Sequence, residues 1–205
     1  DVVVVGGTIN DAATLELYDL ASGLVGFGAN TLTMVLPYFG YSTQERPVKD
    51  GELVPAKSRS TLLSSVPGAR LANEIVLFDL HTDGLAHYFD SHLHCFHINA
   101  NAMIEQVVGD IAKNDDTVVA CTDAGRAKRV EAIANAVGLT AAFVFKKRID
   151  ATKTQITGVN ADVKGKHVVI YDDMIRSGSS LLKAVEAYRQ AGAGKVTGIA
   201  THGLF

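Results

Sequence analysis

Residues 172–180 read Asp-Asp-Met-Ile-Arg-Ser-Gly-Ser-Ser and follow the apolar run "HVVIY". Asp172 and Asp173 are adjacent acceptors, and such carboxylates suit sugar hydroxyls or a hydrated magnesium ion. Ser177, Gly178, Ser179 and Ser180 lead into a segment of helical period. Backbone N–H groups at a helix N-terminus, joined by Ser hydroxyls, cradle an anion. Together they describe a site for a phosphorylated sugar. The plainer alternative is an acidic strand end followed by a helix cap.

Other apolar runs also end in polar clusters: "GGTIND" (6–11), "PYFGYSTQERP" (37–47), "DLH" (79–81), "TDAGRAKR" (122–129) and "KKR" (146–148). "HLHCFH" (92–97) raises the question of zinc. On a strand, His92 and His94 would face one way and Cys95 and His97 the other. That splits the ligands, and the spacing matches no closed zinc pattern.

The elements that must position these groups are strands at 2–5, 31–36, 74–78, 117–121 and 167–171, with two more at 140–145 and 195–201. They are short, Val/Ile-rich and not alternating, which predicts strands covered on both faces. Segments 10–24, 55–65, 99–108, 125–137 and 178–191 have helical period. Asn10-Asp11 supplies an N-cap, and Pro55 suits a first turn. The alternation predicts an α/β fold with parallel sheets. In such sheets ligands sit beyond the C-terminal strand ends, where all these polar clusters fall. The segment "IDATKTQITG" (149–158) shows no clear period and suits a mobile flap.

The chain has 205 residues, 47% apolar and 20% charged, with a net charge of −3. That length buries a real core. The charge argues against a dedicated nucleic-acid binder, and no apolar run suits a membrane span. Two distant cysteines fit a reducing compartment, so the expected location is cytoplasmic. The first residues, "DVVVV", already lie in a strand-like run, so the sequence is expected to be part of a longer chain.

"VVIYDDMIRSGSSLLKAVEAYRQAGAGKV" resembles the phosphoribosyl diphosphate (PRPP) binding motif of type I phosphoribosyltransferases and of ribose-phosphate diphosphokinase, the PRPP synthetase. "LPYFGYSTQERP", "AKSRSTLL", "LFDLHTDGLAHYFD", "TDAGRAKRVEAIA", "FKKR" and "ATHGLF" resemble the synthetase family in order and spacing. The resemblance implies two phosphoribosyltransferase-like domains, 1–97 and 98–205, with the active site between them. It implies transfer of the diphosphoryl group of ATP to the 1-hydroxyl of ribose 5-phosphate, with magnesium as cofactor. It also implies a homo-oligomer, a dimer or hexamer, with a shared ATP site.

Roles follow by resemblance alone. Thr43, Gln44, Glu45 and Arg46 stand in the ATP segment, where Thr43 replaces the usual Arg. Asp79, His81, Asp90 and Asp123 stand at metal-associated positions, and His81 also at an ATP-phosphate contact. Lys146 and Arg148 match the catalytic basic pair. Asp172 and Asp173 would hold ribose hydroxyls. Arg176 and Ser177 to Ser180 would hold the 5-phosphate, with Arg176 where the family has a third acid. His94 also replaces a usual acid. Arg126 replaces a usual Gly and has no role in this reading, and Lys128 and Arg129 read equally as surface charges. The alternatives are a catalytically weak regulatory relative, which the changes at Thr43, His94 and Arg176 favour, and a phosphoribosyltransferase, for which no base-binding hood is visible.

Overall fold

The structure is a computed structural model. It describes residues 1–90, 92–148 and 154–205, and side chains of these outside 145–157. Two compact units divide the chain, Asp1–Asn99 and Ala100–Phe205.

In the first unit, β1 (Val2–Val5), β2 (Thr31–Leu36), β3 (Ala72–Phe78) and β4 (Leu93–Ile98) form a parallel sheet in the order β1-β2-β3-β4. Helix α1 (Asp11–Gly26) links β1 to β2, and α2 (Pro55–Ser64) links β2 to β3. The Asn10 carboxamide accepts from Ala13 N at 2.9 Å, as the Asn-Asp pair predicts. A 3₁₀ helix (Asp83–Tyr88) precedes β4. One sheet face is closed: Leu32, Met34, Leu36, Ile75 and Leu77 are buried with Leu17 and Ala21 of α1 and Leu63 of α2. The other face carries Val3, Val5, Phe96 and Ile98, all exposed. Among the described residues of this unit only one face of the sheet is covered. Apolar runs alone do not distinguish a strand with helices on both sides from one with a half-open face.

In the second unit, β5 (Thr117–Cys121), β6 (Thr140–Ala142), β9 (His167–Ile175) and β10 (Lys195–Gly203) form a parallel sheet in the order β10-β9-β5-β6. Its helices are α3 (Asn101–Ala112), α4 (Ala127–Ala136) and α5 (Ser179–Gln190). Every residue of β5 is buried, as two-sided coverage requires.

Strand β4 is not among the expected strands, and several boundaries differ from the sequence reading. Strand β9 runs four residues past Tyr171 and so contains Asp172 and Asp173. Pairing with β10 carries it on, with His202 opposite Met174 and Gly203 opposite Ile175. The run at 140–145 splits into β6 and β7 (Val144–Arg148), which leaves the sheet to pair antiparallel with β8 (Thr154–Val159). The segment read as aperiodic is thus partly a strand in a two-stranded ribbon. Helix α4 begins only after a 3₁₀ turn at Ala124–Arg126.

At the N-terminal edge of this sheet, buried His167 places Nδ1 2.8 Å from Asp115 Oδ2 and Nε2 2.8 Å from Thr197 Oγ1. One side chain thereby ties the starts of β5, β9 and β10, at the end away from the candidate ligands.

Candidate active site

The chain reverses direction across the second sheet at β5: β6 lies on one side of it and β9 on the other. The crevice at such a switch point receives ligands. Thr122 and Asp123 follow β5 there, and Asp172 and Asp173 stand on β9. Thr122 Oγ1 donates to Asp172 Oδ2 at 2.8 Å, and the Asp173 backbone N–H donates to Asp172 Oδ1 at 3.0 Å. The Asp123 side chain accepts from Gly125 N at 2.9 Å and caps the 3₁₀ turn that ends at Arg126.

Arg126 enters the acid pair. Its Nη2 lies 2.6 Å from Asp173 Oδ1, and its Nε 3.9 Å from Asp172 Oδ1. The side chains are 14% exposed for Arg126 and 2% for Asp173, so this contact is well shielded from water. Burial raises the Asp172 carboxyl to about 6, helped by the neighbouring Asp173, while Thr122 and Arg126 oppose the rise. Two neighbouring carboxylates shielded from water repel, and a fixed cation offsets that.

Beyond the acids, Gly178 adopts φ 72° as the N-cap of α5, a left-handed geometry that favours glycine. Ser177 Oγ lies 3.1 Å from Ser179 Oγ, and Ser177, Ser179 and Ser180 are exposed. The loop therefore presents hydroxyls and first-turn N–H groups, as anion binding requires. Arg176 is exposed, with no ion pair among the described residues.

In the first unit, two non-glycine residues with positive φ fall in the candidate loops: Tyr41 at 60° and Asp79 at 50°. Such backbone costs on the order of 1 kcal/mol and collects at functional sites. Asp79 is buried, and its N–H donates to Ile98 O at 2.8 Å. Leu80 N donates to His97 Nε2 at 3.0 Å, so β4 holds the "DLH" turn in place. Tyr41 OH donates to Asp11 Oδ1 at 2.9 Å, and Arg59 lies over its ring while bonding the same oxygen at 2.6 Å. Gln44 is exposed, and Gln44 N closes a turn to Tyr41 O at 2.8 Å. Arg46 is exposed and pairs with Glu45 at 3.5 Å, and Glu45 O accepts from Tyr88 OH.

The phosphoribosyl transferase domain model matches residues 92–202. Ribose-phosphate pyrophosphokinase of Pyrococcus furiosus is 34% identical over 95% of this chain and 67% of its own length. The Thermococcus kodakarensis enzyme of the same name is 33% identical over 95% of the chain and 66% of its own. This chain belongs to the ribose-phosphate pyrophosphokinase family. It spans about two thirds or less of the relatives it matches. The structure of phosphoribosylpyrophosphate synthetase from Mycobacterium smegmatis superposes with a TM-score of 0.85 at 30% identity, covering 98% of this chain and 63% of that one.

The expected metal-associated and sugar-binding positions fall in both units. Asp172, Asp173 and Asp123 lie at the ends of neighbouring strands in the second unit, whereas Asp79, His81 and Asp90 belong to the first. Among the described residues no three His, Cys, Asp or Glu side chains gather as one metal site. Magnesium commonly takes only one or two protein carboxylates and completes its shell with phosphates and water. The carboxylates present fit that chemistry and not a preformed cage. Asp90 is exposed. Lys146 and Arg148 lie on β7, but their side chains are outside the described residues, and so are residues 149–153 of the expected flap.

Four residues were missed or misjudged from sequence. Arg126 and Thr122 engage the acid pair, and only the strand pairing that puts β5 beside β9 shows it. Arg129 is no ordinary surface charge: it lies 5.0 Å above the Tyr171 ring and donates to Asn101 Oδ1 at 2.9 Å. His97 is a support for the "DLH" turn.

Proposed function

We propose that the protein is a ribose-phosphate diphosphokinase, making PRPP and AMP from ATP and ribose 5-phosphate. The observation that carries this is the joining of Asp172 and Asp173 to the Ser177–Ser180 loop at the switch point of a sheet in a member of this family. Asp172 and Asp173 accept from the ribose hydroxyls. Ser177, Ser179, Ser180 and the N-terminus of α5 bind the 5-phosphate, with Arg176 as an added cation. That leaves the 1-hydroxyl free to attack the β-phosphorus of ATP in line, with AMP as the leaving group. Thr43, Gln44, Glu45, Arg46 and His81 serve the nucleotide. Lys146 and Arg148 offset charge on the transferring group. Asp79, His81, Asp90 and Asp123 are the candidates to anchor magnesium, which supplies charge neutralisation on the phosphates when bound. Cytoplasmic location and a homo-oligomer with a shared ATP site complete the proposal; among the described residues no helix is long and apolar enough to cross a membrane.

The test is AMP formation by the purified full-length protein. AMP should appear only when ATP, ribose 5-phosphate and magnesium are all present. A catalytically weak regulatory relative is the second reading, favoured by the Arg126 contact inside the sugar-binding acids. No AMP above background with any divalent metal would overturn the diphosphokinase reading in favour of that one.

A further inference from the structure

A buried carboxylate beside a partly buried one is stabilised in its charged form by a nearby positive charge. A mobile divalent cation can supply it, or the chain can. Here the chain does: Arg126 reaches Asp173 at 2.6 Å and flanks Asp172 at 3.9 Å. Asp173 is 2% exposed, and Thr122 takes the far oxygen of Asp172. A guanidinium set against this pair fills the charge and the donor directions that a hydrated cation would use. We infer that Arg126 is a resident substitute for a divalent cation at Asp172 and Asp173, so that this acid pair engages the sugar without a metal of its own.

The inference deepens the proposed function and rests on it for the identity of the sugar. Arg126 is a positioning residue, since it acts through the two acids. With Arg126 present the cluster formally carries one negative charge, and without it two. The second state attracts a divalent ion far more strongly than the first. Any magnesium requirement of the reaction then belongs to the nucleotide phosphates.

Mn²⁺ binding to the full-length protein, measured calorimetrically without substrate, tests the cation claim directly. The unaltered protein should show no Mn²⁺ site that D173N removes. R126G should gain one site, and R126G/D173N should lose it. R126Q, closer in size to arginine, should behave as R126G and serves if the glycine variant unfolds. R126K should behave as the unaltered protein. A D173N-sensitive site in the unaltered protein, or no gained site in either neutral variant, overturns the inference. A second arm measures ribose 5-phosphate binding with magnesium and with EDTA. The unaltered protein should bind equally in both. R126G should bind about tenfold more weakly in EDTA and recover with magnesium. If the unaltered protein needs magnesium to bind the sugar, the inference fails. If it binds no ribose 5-phosphate in either buffer while the Mn²⁺ results hold, the proposed function fails and the cation substitution stands.

Discussion

Asp172 shows how a residue's surroundings set its protonation. Its carboxyl rises from the usual range to about 6 because burial and Asp173 disfavour the charge. Between those values the folded protein binds more protons than the unfolded chain. Stability from this group is therefore present at low pH and lost as pH rises through about 6. Asn at 172 never ionises. Asp172→Asn should melt progressively higher relative to the unaltered protein as pH goes from about 4 to about 7. A melting difference that stays constant across that range would refute the raised value. Lys146 is legible only through family resemblance, and its role concerns charge that grows in the transition state. Lys146→Ala should cut turnover by about a hundredfold or more while changing ribose 5-phosphate binding little. Equal losses in turnover and binding would remove that role. The acids and the Ser-Gly-Ser-Ser loop could be read from sequence because their spacing is local. Arg126 could not, because its partners lie 46 and 47 positions further on and meet it only through β5–β9 pairing.

Among the elements, strands β7 and β9 carry Lys146, Arg148 and the acid pair, and loops carry the other candidate groups. Alternating strand and helix showed in the apolar runs, because each strand and helix is specified by nearby residues. Strand ends did not, since pairing with β10 overrides the polarity of Asp172 and Asp173 and keeps them extended. Nor did the exposed face of the β1–β4 sheet, whose Val3 and Val5 lie in a run that reads as a buried strand. Among the described glycines, an added side chain meets the nearest neighbour at Gly40, in the loop after β2. Its N–H donates to Thr8 Oγ1 at 2.7 Å, and Thr8 N donates to Tyr38 O at 3.1 Å. A Cβ at Gly40 would fall 1.8 Å from Thr8 O. The Thr8 backbone must therefore move, and overpacking of this kind costs about 3 kcal/mol. Gly40→Ala should lower stability to urea by that amount, whereas Gly68→Ala, with open space around it, should be nearly neutral. Equal effects at the two positions would show that the contact does not constrain the loop.

At the scale of the whole molecule, the division into Asp1–Asn99 and Ala100–Phe205 separates the candidate chemistry. The first unit holds Thr43 to Arg46, Asp79 and His81. The second holds Asp123, Arg126, Asp172, Asp173 and the Ser177–Ser180 loop. Each has a core of its own: Leu32, Ile75 and Leu77 in one, Val118, Val168 and Tyr188 in the other. About 100 residues around one core is a usual size for a self-sufficient domain. His167 further binds together three strand starts of the second unit without help from the first. Residues 100–205 expressed alone should therefore melt cooperatively. All the groups proposed to grip the sugar phosphate are inside this unit, so it should bind ribose 5-phosphate within about threefold of the full-length protein. It should form no AMP, because the proposed nucleotide loops are absent. Failure to melt cooperatively would refute the independent core. A folded 100–205 piece that cannot bind ribose 5-phosphate, when the full-length protein can, would mean that residues outside this unit help to hold the sugar. The acid pair and serine loop would then be necessary for the grip but not sufficient.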